Sequence, residues 1–194
     1  MNYNKLMEEI IDTFDYKPKL LLHACCGICS SAVLERLNNY FDITLLYYNP
    51  NTYPESEFEK RFDTLKEMIN KMKIDVKIMK PTYNMQEFHN IAKGYEEEME
   101  GGVRCSKCYY MRLEKTVLIA KENDFDYFCT TLSISPYKDS KKLNNIGKIL
   151  ENKYDVKYLY SDFKKKDGYK RSNEIAKKFN LYRQDYCGCE YSKN

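Results

Sequence analysis

The cysteines are the residues of this 194-residue chain best suited to chemistry. They form three groups, at Cys25-Cys26-Gly27-Ile28-Cys29, at Cys105-Ser106-Lys107-Cys108 and at Cys187-Gly188-Cys189. With eight cysteines but only two histidines, the chain favours an iron–sulfur cluster or an all-cysteine zinc site over a mixed Cys/His zinc finger. Because a reducing cytosol discourages structural disulfides, so many thiols indicate metal binding or redox catalysis.

The first two groups together supply four thiolates, the usual complement of a 4Fe–4S cluster. Cys25 and Cys26 follow a predicted strand and precede a helix, whose N-terminal dipole and free N–H groups lower thiol pKa values. Gly27 allows the backbone to turn so that both adjacent cysteines can ligate one metal. Cys105 and Cys108 have the Cys-x-x-Cys spacing of a metal half-site, a spacing that thioredoxin-like redox pairs share. These four cysteines are the predicted cofactor and metal ligands.

The third group is predicted to take part in the reaction. A single residue separates Cys187 from Cys189, so a disulfide between them would be strained and easily reduced, as catalytic disulfides are. The first interpretation is a redox pair, and the close alternatives are ligands to a second metal or to the cluster itself. Asp185, two residues upstream, could act as an oxygen ligand or a proton donor in each case.

The other cysteines and the histidines have simpler interpretations. Cys29 begins a helix and is predicted to be a small core residue that faces inward, and Cys129 is predicted to lie in the core of an apolar strand. His23 is predicted to be a satisfied core histidine, placed where it could also give a hydrogen bond to the neighbouring cysteines. His89 lies on a polar helix and is predicted to be at the surface.

Basic residues crowd the last quarter of the chain, although the net charge is only +3. Such a cluster is able to contact phosphates, and it is equally typical of a solvated protein face. A hydroxyl-rich stretch that ends in Lys138 follows a predicted strand and could hold a phosphate or a ribose, or form a capped turn. The clustered residues are Lys164, Lys165, Lys166, Lys170, Arg171, Lys177, Lys178 and Arg183.

Short apolar runs that alternate with amphipathic stretches predict the elements that position these groups. The predicted strands cover residues 20–24, 43–48, 76–79, 127–132 and 156–160. The predicted helices cover residues 30–39, 55–72, 85–99, 105–122, 140–152 and 172–179, after an amphipathic helix within residues 1–18 and before a cysteine-containing tail at 180–194. Strands separated by helices indicate one α/β domain, 1–194, with a parallel sheet covered on both faces and ligands at the carboxyl ends of its strands. With no long apolar run, neither a membrane span nor a signal peptide is expected, so the predicted location is the cytoplasm.

Six stretches in order along the chain resemble the cobalamin-independent epoxyqueuosine reductases, the QueH family. The resemblance runs from Lys19 to Ser192, and the family motif usually has proline where this chain has Ile28. That change should loosen the helix start slightly but removes no ligand. The matching stretches are LLHACCGICSSAVLERL, YYNPNTYPESEFEKR, GGVRCSKCYYMRLEKT, FCTTLSISPYKDS, DFKKKDGYKRS and YRQDYCGCEYS.

The resemblance implies an enzyme that reduces epoxyqueuosine to queuosine at the wobble position of a tRNA anticodon. It implies a nucleotide-binding-like α/β domain of the HUP class, a 4Fe–4S cluster on the four predicted ligands, no cobalamin, and a redox-active pair at Cys187 and Cys189. The family also allows an additional mononuclear iron, here near that pair and Asp185. The expected partners are tRNA carrying epoxyqueuosine and an electron-donor protein or reductant, with no membrane. The expected tRNA contacts are Lys138, Lys164, Lys165, Lys166 and Arg171.

Two other classes of protein fit this cysteine pattern less well than the reductase. A tRNA sulfur-transfer enzyme on a similar fold would be expected to use ATP, but the first strand ends in Cys-Cys-Gly rather than in a Ser-Gly-Gly phosphate loop. A zinc-stabilised RNA-binding module would explain paired cysteines but gives no reason for the additional Cys187-x-Cys189 pair.

Overall fold

Five parallel strands form the centre of the computed structural model, which describes residues 1–192. Along the sheet the strands lie in the order β3-β2-β1-β4-β5, and every neighbouring pair is parallel. The central strand β1 therefore pairs with β2 on one side and with β4 on the other, which is the point where the strand order reverses. The strands are β1 (Lys19–His23), β2 (Asp42–Leu46), β3 (Lys77–Met79), β4 (Tyr127–Thr130) and β5 (Lys157–Tyr158).

Helices cover both faces of the sheet because side chains of a strand alternate between its faces. Leu20 and Leu22 of β1 pack in a core with residues of α1, α2, α3 and α7, whereas Leu21 packs with α5 and α6 on the other face. The helices are α1 (Tyr3–Ile11), α2 (Gly27–Leu37), α3 (Glu55–Met72), α4 (Met85–Ala92), α5 (Val103–Glu122), α6 (Ser140–Tyr154) and α7 (Gly168–Lys178). The predicted parallel α/β architecture is confirmed. No helix within residues 1–192 combines the length and the apolar character that a bilayer crossing requires.

The start of α2 differs from its prediction because a cysteine side chain caps the helix. α2 begins at Gly27 rather than near Ser30, and the sulfur of Cys26 accepts a hydrogen bond from the backbone N–H of Cys29 at 3.3 Å. A cap of this kind satisfies an N–H group that has no partner inside the helix. A Cβ atom at Gly27 would lie 2.8 Å from the carbonyl oxygen of Thr64, so the start of α2 packs directly on the backbone of α3.

Several other predicted boundaries also differ from the structure. The predicted helix 85–99 ends at Ala92, just before Gly94 adopts a positive φ of 80°. The predicted strand 127–132 ends at Thr130, whose hydroxyl accepts from the N–H of Leu132 and so starts a short 3-10 helix. The last helix begins at Gly168 and not at residue 172. In contrast, α3 has the predicted bounds of 55 and 72.

Candidate active site

A cavity of about 550 Å³ opens at the carboxyl ends of β1, β2 and β4. Its wall combines the loops after these strands with α5, α7 and the tail, here defined as residues 180–192. This is the sheet edge at which ligands were expected, beside the point where the strand order reverses. Among the lining residues are Cys25, Cys29, Asn51, Arg112, Asp185 and Cys187.

Three cysteine sulfurs converge beside this cavity. The Sγ atoms of Cys25, Cys26 and Cys29 all lie within 4.8 Å of one another, and those of Cys25 and Cys26 are 3.9 Å apart. In residues 1–192 no other group of three or more histidine, cysteine or acidic side chains brings its ligand atoms so close. The prediction that Cys29 is only a core residue was wrong, since it is half-buried and lines the cavity. Because α2 begins at Gly27, Cys29 lies one turn from Cys26 on the same side of the helix.

The pKa values of the three thiols are shifted in different directions. Hydrogen bonding with the Cys26 and Cys29 thiols, together with the nearby Arg112 charge, holds the pKa of Cys25 well below its ordinary value. The same hydrogen bonding with Cys25 raises the pKa of Cys26 to about 12. The Thr131 hydroxyl also donates to the Cys25 sulfur, at 3.5 Å. Of the three, the Cys25 thiol therefore gives up its proton most readily, with thiols, a hydroxyl and a cation beside it.

Arg112 is a buried cation at the back of the cavity. Its guanidinium donates to the side-chain oxygen of Asn49 at 2.7 Å, and it lies 3.3 Å from His23 Nε2 and 3.9 Å from the Cys108 sulfur. It forms no ion pair with a carboxylate of the described chain, and the sulfurs of Cys25, Cys108 and Cys187 contribute to its electrostatic surroundings. A buried cation requires a compensating charge. Thiolates, free or bound to a metal, are the groups available to supply it.

His23 is a core histidine, as predicted. It is fully buried, and its ring nitrogens lie 2.9 Å from the Thr130 hydroxyl and 3.0 Å from the Tyr48 carbonyl oxygen. Burial lowers the pKa of His23 to about 3, so the ring is neutral. No hydrogen bond joins it directly to a cysteine within residues 1–192, and Arg112 lies between His23 and Cys108 instead.

The second cysteine pair lies in the first turns of α5, and both sulfurs are buried. The backbone N–H of Gly101 donates to the Cys105 sulfur at 3.2 Å, and burial raises the pKa of Cys108 to about 11. Cys108 packs in a small apolar cluster with Cys189 of the tail, while Cys105 packs in the core that also contacts Cys25. The α5 pair thus lies between the first cysteine group and the tail.

The tail is held against the cavity by α3. The buried Arg61, paired with Glu57 at 2.7 Å, donates to the carbonyl oxygens of Tyr186 and Cys187 at 3.2 and 3.0 Å. Gly188 has a φ of +102°, and a Cβ atom there would lie 2.7 Å from the Arg61 guanidinium. Glycine between the two cysteines is therefore required by both the turn and the close approach.

The structure gives Cys187 a cationic neighbour. The ammonium group of Lys138 is 3.1 Å from the Cys187 sulfur and 2.8 Å from a carboxylate oxygen of Glu100. None of the eight cysteines is paired in a disulfide. Asp185 is exposed and lines the same cavity as Cys187.

The predicted tRNA contacts fall into two sets. Lys165 is exposed and forms no ion pair with the part of the chain that the structure describes. Four others already have partners: Lys138 as above, Lys164 on two backbone carbonyl oxygens, Lys166 on Glu8, and Arg171 on Glu35 through two bonds of 2.7 Å.

Several site residues were missed at the sequence level. Arg112 follows Cys108 by four residues on α5, so helical spacing alone could have indicated that they share a side. Gln184, whose amide donates to the Cys26 sulfur at 2.9 Å, carries no such local signal. Arg61 was missed for the same reason, since its role comes from contacts with the distant tail.

The sheet and the cavity define an α/β protein with a cysteine-lined active site at the switch point of its strands. The family model described as "Epoxyqueuosine reductase QueH" matches residues 20–194. The epoxyqueuosine reductase QueH of Staphylococcus epidermidis is 40% identical over 201 residues, covering 99% of this chain and 84% of that protein. The one of Streptococcus pyogenes is 37% identical over 199 residues, covering 99% and 78%. The chain belongs to the epoxyqueuosine reductase QueH family and is an oxidoreductase of queuosine synthesis.

A solved structure with the same fold supports the predicted fold class. The U34-tRNA thiolase NcsA from Methanococcus maripaludis, determined with its 4Fe–4S cluster, superposes with a TM-score of 0.53. The match covers 98% of this chain and 68% of that chain at 17% sequence identity. Together with the all-parallel sheet, this match confirms the predicted HUP-like fold.

Proposed function

We propose that the chain is an iron–sulfur-dependent cytoplasmic enzyme that reduces epoxyqueuosine to queuosine at the wobble position of tRNA. The observation that carries this proposal is the convergence of the Cys25, Cys26 and Cys29 sulfurs beside a cavity at the switch point of the sheet. Family membership supplies the reaction. The whole chain, 1–194, would act as one catalytic domain.

The residues present fit an iron–thiolate group. Sulfur ligands are preferred by iron–sulfur clusters, and the buried Arg112 offers the positive charge that an anionic cluster requires. We propose Cys25, Cys26, Cys105 and Cys108 as the ligands, with Cys29 as the further candidate that the geometry adds. When bound, a 4Fe–4S cluster would supply electrons one at a time, and no cobalamin would be needed.

The tail would complete the reaction chemistry. Cys187 and Cys189 would store or relay an electron pair, or hold a second iron together with Asp185. Lys138, whose ammonium group is 3.1 Å from the Cys187 sulfur, would hold that sulfur in position at the cavity wall. In this arrangement the chain holds the reactive sulfur and a carboxyl group on the same cavity wall.

The overall conversion consumes two electrons and two protons. Both C–O bonds of the epoxide break, a carbon–carbon double bond remains, and the oxygen leaves as water. Asp185 lines the cavity and is exposed enough to exchange protons with solvent, so we propose it as the acid that protonates the departing oxygen. An electron-donor protein or a small reductant would restore the enzyme after each turnover.

Metal and acid-labile sulfide analysis of anaerobically purified protein tests this function. We expect a brown protein with iron and sulfide in cluster proportion that converts epoxyqueuosine tRNA to queuosine tRNA, detected by mass spectrometry of the nucleosides. Cys25→Ala and Cys26→Ala should lose the colour. Cys129→Ala is the matched control, because Cys129 is a buried thiol that packs in the core and does not line the cavity. A colourless zinc protein that takes up no iron on anaerobic reconstitution would overturn the proposal.

The same experiment decides between the ligand candidates. Loss of the cluster spectrum in Cys105→Ala and Cys108→Ala, with retention in Cys29→Ala, would support the set predicted from sequence. The reverse pattern would assign Cys29 as the third ligand of a site built mainly on α2.

A further inference from the structure

The tail makes a direct hydrogen bond to the first cysteine group. The side-chain amide nitrogen of Gln184 donates to the Cys26 sulfur at 2.9 Å, although the two residues are 158 positions apart in the sequence. Gln184 lines the cavity, whereas Cys26 is only 1% exposed and does not line it. The amide therefore connects the cavity wall to a sulfur that solvent hardly reaches.

This bond differs from the backbone N–H groups that donate to the cysteine sulfurs. The N–H of Cys29 donates to Cys26 at 3.3 Å, and the N–H of Gly101 donates to Cys105 at 3.2 Å. Both of these donors lie within four positions of their acceptor, so they are present whenever the start of that helix is formed. The Gln184 donor, in contrast, is present only while the tail lies against the cavity.

A sulfur that binds iron can only accept a hydrogen bond at this position. A thiolate has no proton to donate, so the nitrogen of the Gln184 amide, and not its oxygen, must face Cys26. Hydrogen bonds to the ligand sulfurs are among the factors that set the reduction potential of an iron–sulfur cluster. Because a donor interacts more strongly with a more negative acceptor, it stabilises the reduced form and raises the potential.

We propose that Gln184 is a positioning residue, whose hydrogen bond to Cys26 makes the reduction potential of the bound cluster depend on the docked tail. This inference rests on the part of the proposed function that assigns Cys26 as a cluster ligand. With the amide on Cys26, the potential is higher than with that donor removed. The tail also carries Asp185 and Cys187 on the cavity wall. One segment therefore sets the potential and brings the proposed reactive groups to the cavity.

A redox titration of the anaerobically purified holoprotein, followed by electron paramagnetic resonance, tests this dependence. Gln184→Leu removes the donor at similar volume, and Gln184→Asn retains an amide on a side chain too short to keep the 2.9 Å contact. Each variant should have a lower potential, by about 59 mV if the ratio of reduced to oxidised cluster changes tenfold. Iron and sulfide per chain should equal the wild-type values, because Gln184 supplies no ligand.

Gln86→Leu is the matched control for the change of residue type. Gln86 is exposed on α4, donates to the side-chain oxygen of Asn90 at 2.9 Å and does not line the cavity. This variant should retain the wild-type potential. A wild-type potential in both Gln184 variants would overturn the inference.

Alkylation of the tail distinguishes loss of the hydrogen bond from release of the tail. The bonds from Arg61 to the Tyr186 and Cys187 carbonyl oxygens do not involve Gln184. Cys187 should therefore react with iodoacetamide at the wild-type rate in Gln184→Leu. A potential that falls only together with faster alkylation would assign the change to tail release and overturn the inference.

Failure of the proposed function has different signatures. A wild-type protein that takes up no iron or sulfide on anaerobic reconstitution would overturn both the proposed function and the inference. A cluster whose potential responds to Gln184, in a protein that does not convert epoxyqueuosine tRNA, would support the inference and overturn the proposed reaction.

Discussion

At the scale of single residues, the buried Arg112 explains why so many thiols can lie together. A lone guanidinium in a protein interior is unfavourable, and so is a lone thiolate. Here the cation contacts the Cys108 sulfur and lowers the pKa of Cys25. Other N–H groups of Arg112 donate to the side-chain oxygen of Asn49 and to Nε2 of His23. The same contacts therefore balance the charge and fix the orientation of the guanidinium.

Replacing Arg112 with methionine should weaken iron retention. The variant keeps much of the side-chain volume but removes the countercharge and leaves the Asn49 oxygen without its donor. We expect at least about tenfold faster loss of iron to a chelator, equivalent to roughly 1.4 kcal/mol. The measurement is iron per chain against time. Arg36→Met is the control, because Arg36 pairs with Glu8 away from the cavity. Equal iron retention by the wild type, Arg112→Met and Arg36→Met would contradict the prediction.

The exposed Lys165 is the predicted tRNA contact most open to mutational test. Because it has no ion pair within the described chain, Lys165→Glu should weaken tRNA binding and lower its salt dependence without altering the cluster spectrum. Binding measured over a series of salt concentrations gives the slope directly. Lys77→Glu makes the same charge change at the amino end of β3, the sheet edge opposite the cavity. Identical slopes for both variants would remove the basic segment from RNA binding.

At the scale of elements, the packing of α2 on α3 determines where the first cysteine group lies. The contact at Gly27 is between the backbones of α2 and α3. No side chain lies between them that could move to accommodate a change in the spacing of the two helices. Cys26 then caps α2 and Cys29 occupies the next turn. The relative placement of these three sulfurs is therefore a property of the helix pair.

Gly27→Ala tests that dependence. Its added Cβ would lie 2.8 Å from the Thr64 carbonyl oxygen, so α2 must move away from α3. We expect a loss of about 1–3 kcal/mol in the free energy of unfolding, as for other overpacked sites. Urea titration of the protein measures this loss, and iron analysis should show a parallel decrease in cluster content. Lys148→Ala on the exposed face of α6 should change neither quantity. Wild-type stability in Gly27→Ala would disprove the close-packing argument.

The sequence was most informative where local pattern decides structure. The bounds of α3 followed from its apolar periodicity, and the alternation of strands and helices was sufficient to predict the parallel sheet. The start of α2 was missed because cysteine is not an ordinary capping residue, and this error also led to the core assignment of Cys29. The contacts of Arg61 and Gln184 were not predictable, because they join residues more than 120 positions apart.

At the scale of the whole molecule, the tail closes the cavity from outside the sheet. Arg61 binds two of its carbonyl oxygens, and Tyr182 adds a hydroxyl on Glu57 and a cation–π contact with Lys60. These contacts all come from α3, the helix on which the first cysteine group also packs. One helix thus positions both the first and the third cysteine groups.

Arg61→Gln should release the tail while leaving the first cysteine group in place. The variant loses donors to the Tyr186 and Cys187 carbonyl oxygens, so Cys187 and Cys189 should react faster with iodoacetamide, by about tenfold or more if local opening costs 1.4 kcal/mol less. Mass spectrometry of the alkylated peptides follows each cysteine separately. Lys66→Gln, on the exposed side of α3, is the control. Unchanged tail reactivity in Arg61→Gln would show that other contacts hold the tail.

The pairing of β1 with β4 has a consequence for the order of events during folding. Cys25, Cys26 and Cys29 are neighbours in sequence, so as the proposed metal ligands they would already be able to capture a metal ion in the unfolded chain. The hydroxyl of Thr131, which supports Cys25, is 106 positions away and arrives only when β4 closes against β1. Closing so long a loop is slow compared with local contacts. A metal captured early therefore lies in solvent and exchanges freely, whereas one bound after closure is enclosed. Slow metal exchange should consequently report that β4 has paired with β1.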